Sequence, residues 1–151
     1  MLGGRLSSLV TLAACGLAGC GGDDSPICGE PITCADLAGE PGWAAGTMDA
    51  VPEDFPPAPA RAELCGQSDD GAGSTVYWLI DRTENVHEHY RTVLTRAGWT
   101  ATGPVSAVES PDAGNVTCET EQVFTMGDPL VLVHVFPNRR AFSLSLLNLE
   151  N

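Results

Sequence analysis

The sequence predicts an α+β fold, an antiparallel sheet of five or six strands with one amphipathic helix packed on one face and disulfides as staples. Three observations lead there. Val86, Tyr90, Val93, Leu94 and Ala97 recur at the spacing of one helical face. Runs of β-branched, aromatic and aliphatic residues, divided by Gly, Pro, Asn and Asp, fill most of the chain after residue 60. Four of the six cysteines follow position 20, an even set that can pair.

The chain opens with a positive charge, Arg5, and an apolar run from Leu6 to Ala18. That is the layout of a secretory signal peptide, too short and too interrupted by Ser7, Ser8 and Thr11 to span a bilayer. The run ends in Leu17-Ala18-Gly19-Cys20, which resembles the lipobox of bacterial lipoproteins. The resemblance implies cleavage before Cys20, acylation of Cys20 and anchoring in a membrane of the cell envelope. Gly21, rather than Asp, at the next position points to the outer membrane if the envelope has two. Leu12-Ala13-Ala14-Cys15 has a similar order. Cleavage there would leave only about eight residues of apolar core after Arg5. Acylating Cys15 would also leave five cysteines, whereas acylating Cys20 leaves Cys28, Cys34, Cys65 and Cys118.

Residues 20–59 read as a lipidated, flexible tether with a small cysteine loop, and residues 60–151 as a single domain. Gly21-Gly22-Asp23-Asp24-Ser25 buries nothing. Cys28 and Cys34 flank Pro31, and a disulfide between them would contribute roughly 2 kcal/mol. Their spacing suits neither a zinc site nor a redox pair. Val51 to Pro59 contains four prolines in Pro52, Pro56, Pro57 and Pro59, which exclude helix and sheet interior and favour an extended spacer. As a coil, residues 21–59 would span roughly 35 Å.

The domain begins with a short strand at 61–65 and a turn from Gly66 to Gly73. This turn lacks the ligand alternation of a calcium loop and the Gly-Lys-Ser/Thr of a phosphate loop. The strand at 74–80 is apolar on both faces and reads as central. A helix follows, capped by Asp81 or Thr83 with Glu84 completing a capping box, and stopped by Gly98. Trp99 restarts the chain as a strand through Thr102. The order Tyr90-x3-Leu94-x3-Gly98-Trp99 resembles a pattern in small bacterial envelope lipoproteins, in which such a helix packs on an antiparallel sheet; the resemblance implies a fold type and no activity. After a loop at 103–114, strands are expected at 118–126, 129–136 and 141–149. Phe142, Leu144 and Leu146 alternate with Ser143 and Ser145, while Leu130 to Phe136 is apolar on both faces and is placed beside the strand at 74–80. The favoured disulfides are Cys28 with Cys34 and Cys65 with Cys118.

Charge and spacing narrow the chemistry. The formal charge is −13, becoming −14 once Arg5 is removed, with no lysine. Such a chain lacks the basic footprint that nucleic acid requires. His87 and His89 stand about 200° apart around a helix, whereas chelation wants i and i+4, so with Glu84 and Glu88 they read as a solvated face rather than a metal site. No Gly-x-Ser-x-Gly or spaced carboxylate pair marks a catalytic site. The expectation is therefore no enzyme, cofactor or metal: a lipid-anchored envelope binding or interaction module, partnered by the membrane through Cys20, whose second sheet face, apolar and short of cover under a single helix, is either covered by the 21–59 tether or open to a protein partner or ligand. The alternative is a small hydrolase-like envelope enzyme with a spatially assembled site. A polar pocket holding His134 or His87 beside a carboxylate would favour the enzyme, and a flat or apolar face the binding module.

Overall fold

The computed structural model describes residues 29–46, 51, 53, 55–69, 71–109 and 116–148. The signal-peptide segment, Cys15, Cys20 and Cys28 lie outside them. The strands are β1 (Ala44–Ala45), β2 (Glu63–Asp69), β3 (Gly73–Leu79), β4 (Thr100–Ala101), β5 (Ser106–Glu109), β6 (Val116–Thr125), β7 (Pro129–Phe136) and β8 (Ala141–Asn148), with one helix, α1 (Val86–Arg96). Every pairing is antiparallel, in the order β1-β2-β3-β8-β7-β6-β4, and β5 shares the β6 edge with β4.

The expected fold class holds in outline, but among the described residues the sheet has eight strands rather than five or six. Two additions, β1 and β5, come from stretches read as tether and loop. Both are short edge pieces whose pairing depends on the neighbour they meet, so neither carries a period-2 signal. Strand β2 also runs on through Asp69, and the turn shrinks to the residues around Gly71. There the Gly71 N–H donates to Asp69 Oδ1 at 2.9 Å and φ is +83°.

A second correction concerns strand order. Strand β8, not β7, lies beside β3, with Val76 opposite Leu144 and Thr75 opposite Ser145. The reason is the meander: β6, β7 and β8 pair in sequence through tight turns, which leaves the far edge of β8 for β3. The serines do not push β8 outward, because Thr75 and Ser145 join hydroxyls at 2.7 Å across the strand pair.

Helix α1 packs Val86, Tyr90 and Leu94 on the sheet face built by Val76, Phe124, Val133 and Phe142, all fully buried. Trp78 stacks on Phe142 at 5.1 Å, and Tyr90 tilts against the same ring at 5.8 Å. The expected capping box is absent: the helix starts at Val86 with Asn85 as an N-cap that makes no side-chain cap bond. Residues 81–85 are spent on the turn that carries the chain from β3 over the sheet, and the Val86 N–H donates to Thr83 O at 3.1 Å. The other end is as expected. Gly98 has φ +93°, its N–H donates to Thr95 O, and the Trp99 N–H reaches back to Leu94 O at 2.9 Å. These two bonds form the Schellman pattern that a left-handed glycine permits.

The described part of residues 29–59 lies on the domain. Cys34–Leu37 is a 3-10 turn on which Asp36 accepts from both the N–H and the hydroxyl of Thr33, at 2.6 and 2.9 Å, holding its carboxyl below the usual range. Strand β1 pairs with β2 so closely that a Cβ at Gly66 would collide with the Ala44 carbonyl and the Trp43 ring. Further on, Phe55 enters the core, with Val51 and Ala58 packed against it. The proline-rich piece is a strap, held by a 2.9 Å bond from His89 Nε2 to Pro57 O.

The favoured disulfide pairing is corrected here. Cys34 bonds Cys65, at a Cα separation of 5.0 Å and a sequence separation of 31. Cys65 sits at the irregularity in the β2–β3 register between Leu64 and Gly66, where the 3-10 turn meets β2. Cys118 is disulfide-bonded as well, and its partner lies outside the described residues.

Candidate functional site

The sheet face away from α1 is where the chemistry collects. Alternation sends Thr75 and Tyr77 from β3, Ala141, Ser143 and Ser145 from β8, His134 and Phe136 from β7, and Glu119 from β6 to this side. Above them, Ile32, Leu37 and Glu40 descend from the loop stapled by Cys34–Cys65, and Arg139 arrives from the β7–β8 turn. Together they line a half-open cavity of about 390 Å³.

Its centre is an imidazole–carboxylate pair. His134 Nε2 lies 3.1 Å from Glu119 Oε2, both side chains about a quarter exposed. The His134 ring stacks on Phe136 at 4.2 Å, fixing its plane. Ser143 stands opposite His134 in the β7–β8 register and is almost fully buried at 3% exposure. Tyr77, next across in β3, leans on Trp43 at 5.9 Å. The Ser145 hydroxyl is engaged with Thr75. Arg139 is pinned by its backbone, which accepts the Ile32 N–H, while its buried Nε has no hydrogen-bond partner. The cavity thus mixes donors, acceptors and two aromatic rings in one half-open space.

No family model matches the chain, and neither a curated protein nor a solved structure is significantly similar to it.

The residues singled out in the sequence are separated by the fold. His134 joins Glu119, but His87 lies on the other side of the sheet, where its Nε2 meets Thr120 Oγ1 at 2.8 Å. The solvated helix face expected for His87 and His89 is therefore corrected: both rings are half-buried and tie α1 to β6 and to the proline strap, while Glu84 and Glu88 are exposed. Burial, with lesser contributions from Arg91 and His134, lowers the His87 pKa from 6.5 to about 4. Tyr90, with a buried hydroxyl that finds no partner, is pushed well above its ordinary range by desolvation. Among the described residues no group of three or more His, Cys, Asp or Glu could hold a metal, and no helix is long and apolar enough to cross a membrane.

Glu119, Tyr77, Ser143 and Arg139 were not identifiable as site residues from sequence. The register of the 137–140 hairpin would have placed Ser143 opposite His134. Glu119 needed the β6 phase, and Arg139 needed the folded-back loop.

Proposed function

We propose that the chain is a lipid-anchored binding module of the cell envelope, held by acylated Cys20, whose ligand seats in the cavity between the stapled loop and the sheet. The observation that carries the reading is that cavity. Its roof is fixed covalently through Cys34–Cys65, and its walls pair Tyr77 and Phe136 with Glu119, His134 and the serine and threonine hydroxyls. A covalently fixed roof loses little entropy when a ligand binds, which favours recognition. The 390 Å³ suits a small polar molecule with some apolar surface rather than a protein segment.

The His134–Glu119 pair favours a second reading, the small hydrolase-like enzyme. A carboxylate that orients an imidazole prepares it for proton transfer, and Ser143 is the nearest hydroxyl by register. Against it, the Ser145 hydroxyl is already hydrogen-bonded with that of Thr75. One experiment separates the two. The native lipidated protein is recovered from membranes and its bound small molecules are identified, alongside Tyr77→Ala and His134→Ala variants. Binding lost in Tyr77→Ala, with ligand recovered chemically unchanged, supports the module. Turnover abolished by His134→Ala and Glu119→Gln supports the enzyme, and recovery of nothing specific from the wild type overturns both. Mass spectrometry of the amino-terminal peptide tests the anchor separately, since a Cys20→Ser chain that stays acylated would place the lipid on Cys15.

A further inference from the structure

The cavity between the stapled loop and the sheet holds charges of both signs that the fold does not pair. Arg139 is partly buried in its lining, with Gly29 packed so closely that a Cβ there would meet Nε and Cζ of the guanidinium. That Nε is buried and has no hydrogen-bond partner, and among the described residues Arg139 forms no ion pair. A buried guanidinium donor without an acceptor costs free energy that a ligand oxygen recovers.

The opposite charge lines the same space. Glu40, exposed on the roof, forms no ion pair among the described residues, and Glu119 is bonded to His134. Glu121 stands opposite His134 in the β6–β7 register and so shares its sheet face, while Glu30 follows Gly29. Acid therefore exceeds base around the cavity, even with His134 protonated. A simple anion would be opposed by this excess, and a simple cation by Arg139 in the lining. A molecule that carries both an ammonium and a carboxylate answers both. Its apolar part has Tyr77, Phe136, Ile32 and Leu37 to pack on.

We propose that the ligand of this cavity is a small zwitterion with an apolar side chain, a free amino acid or a short peptide, whose carboxylate takes the Arg139 guanidinium and whose ammonium takes Glu40 and Glu119. The planar fork of a guanidinium matches a carboxylate, and an ammonium supplies three donors to carboxylate oxygens. The volume of about 390 Å³ admits either source. The assignment rests on the binding-module reading above, and the test keeps the two apart.

The full chain, processed as the cell leaves it, is titrated calorimetrically with phenylalanine and with alanyl-phenylalanine. Two further probes each lack one charge: N-acetylphenylalanine has no ammonium, and phenethylamine has no carboxylate. The better of the first two, which tells amino acid from peptide, should bind about tenfold or more tighter than both charge-deleted probes. Arg139→Gln should weaken it by about tenfold and leave phenethylamine unchanged. Glu40→Gln should weaken it and leave N-acetylphenylalanine unchanged; its exposed position keeps the test decisive should Arg139→Gln fail to fold. Equal binding of either charge-deleted probe, zwitterion binding indifferent to both variants, or no binding of any of the four overturns the proposal. A ligand recovered from membranes that depends on Tyr77 but lacks one of the two charges overturns the zwitterion and keeps the module. Cleavage of the dipeptide, dependent on Arg139 and Glu40 and abolished by His134→Ala, keeps the zwitterion and replaces the module by the enzyme.

Discussion

Lowering the pH should loosen the helix through one side chain, His87. Its ring sits between α1 and β6, with Nε2 bonded to Thr120 and Nδ1 buried without a partner. Protonation would leave a cation beside Arg91 from the same helix, with a smaller unfavourable contribution from His134 across the sheet, and would require a donor at Nδ1 to find an acceptor that is not there. The folded state therefore holds His87 neutral to about pH 4, whereas the unfolded chain protonates it near 6.5. Between those values the unfolded state binds the extra proton, so stability rises with pH across the window. The contribution is complete above pH 6.5 and disappears as pH falls through about 4.

The interval from 6.5 to about 4, at about 1.4 kcal/mol per pH unit, sets a ceiling near 3.4 kcal/mol. His87 is only half-buried, and screening by solvent brings the expected effect to about 1–2 kcal/mol. The assay is urea unfolding from pH 4.0 to 7.5 for wild type and for His87→Gln, which can still meet Thr120 but does not titrate. His89 and His134 remain in both chains, so the difference isolates His87. The wild type should lose its advantage as pH falls, and the imidazole resonance of His87 should titrate well below 6. A parallel pair of curves, or a His87 resonance titrating at 6.5, would refute the burial argument.

Further outcomes follow from the same geometry. Replacing Cys34 and Cys65 by alanine opens a loop of sequence separation 31 and should cost about 3.7 kcal/mol in the chain-entropy model; a loss under about 1 kcal/mol in urea melts would mean the loop is closed by packing alone. Tyr90→Phe removes a buried hydroxyl with no partner and should be neutral or stabilising by up to about 1 kcal/mol, with clear destabilisation in thermal melts pointing to an acceptor in reach. Phe55→Ala should cost about 3 kcal/mol by vacating the core position of the strap, and protease should then cut near Pro57. Gly98→Ala meets nothing closer than Met126 Sδ at 3.6 Å but inherits φ +93°, so a loss of about 1–2 kcal/mol would come from backbone strain alone.

Helix α1, its glycine stop and the last three strands were legible because each rests on a local rule: the 3.6 period, the left-handed C′ position, and period-2 alternation between tight turns. The order of strands was less so. Leu130 to Phe136 looks central by composition, yet β8 with its serines takes the position beside β3, since pairing follows the meander and cross-strand hydroxyl bonds satisfy Thr75 and Ser145. The site was the least legible part. A single residue pair, Glu119 with His134, defines its centre, and 15 positions separate them. Its roof comes from a segment whose glycines, prolines and carboxylates have the composition of a leash. That composition describes the backbone's freedom when unattached, and Cys34–Cys65 removes the freedom without altering the composition.

That covalent closure also changes what an anchor at Cys20 means. A free tether over residues 21–59 would let the domain sample roughly 35 Å of distance and every orientation. With Gly29 already seated on the β7–β8 turn, only nine residue steps separate it from Cys20, and the cavity shares Arg139 with that turn. A ligand entering beside Arg139 would then come from the layer within about 30 Å of the membrane, not from bulk solvent above it. Were Cys20 acylated, the anchor and the cavity would not be independent features: the short reach would decide which molecules the cavity meets.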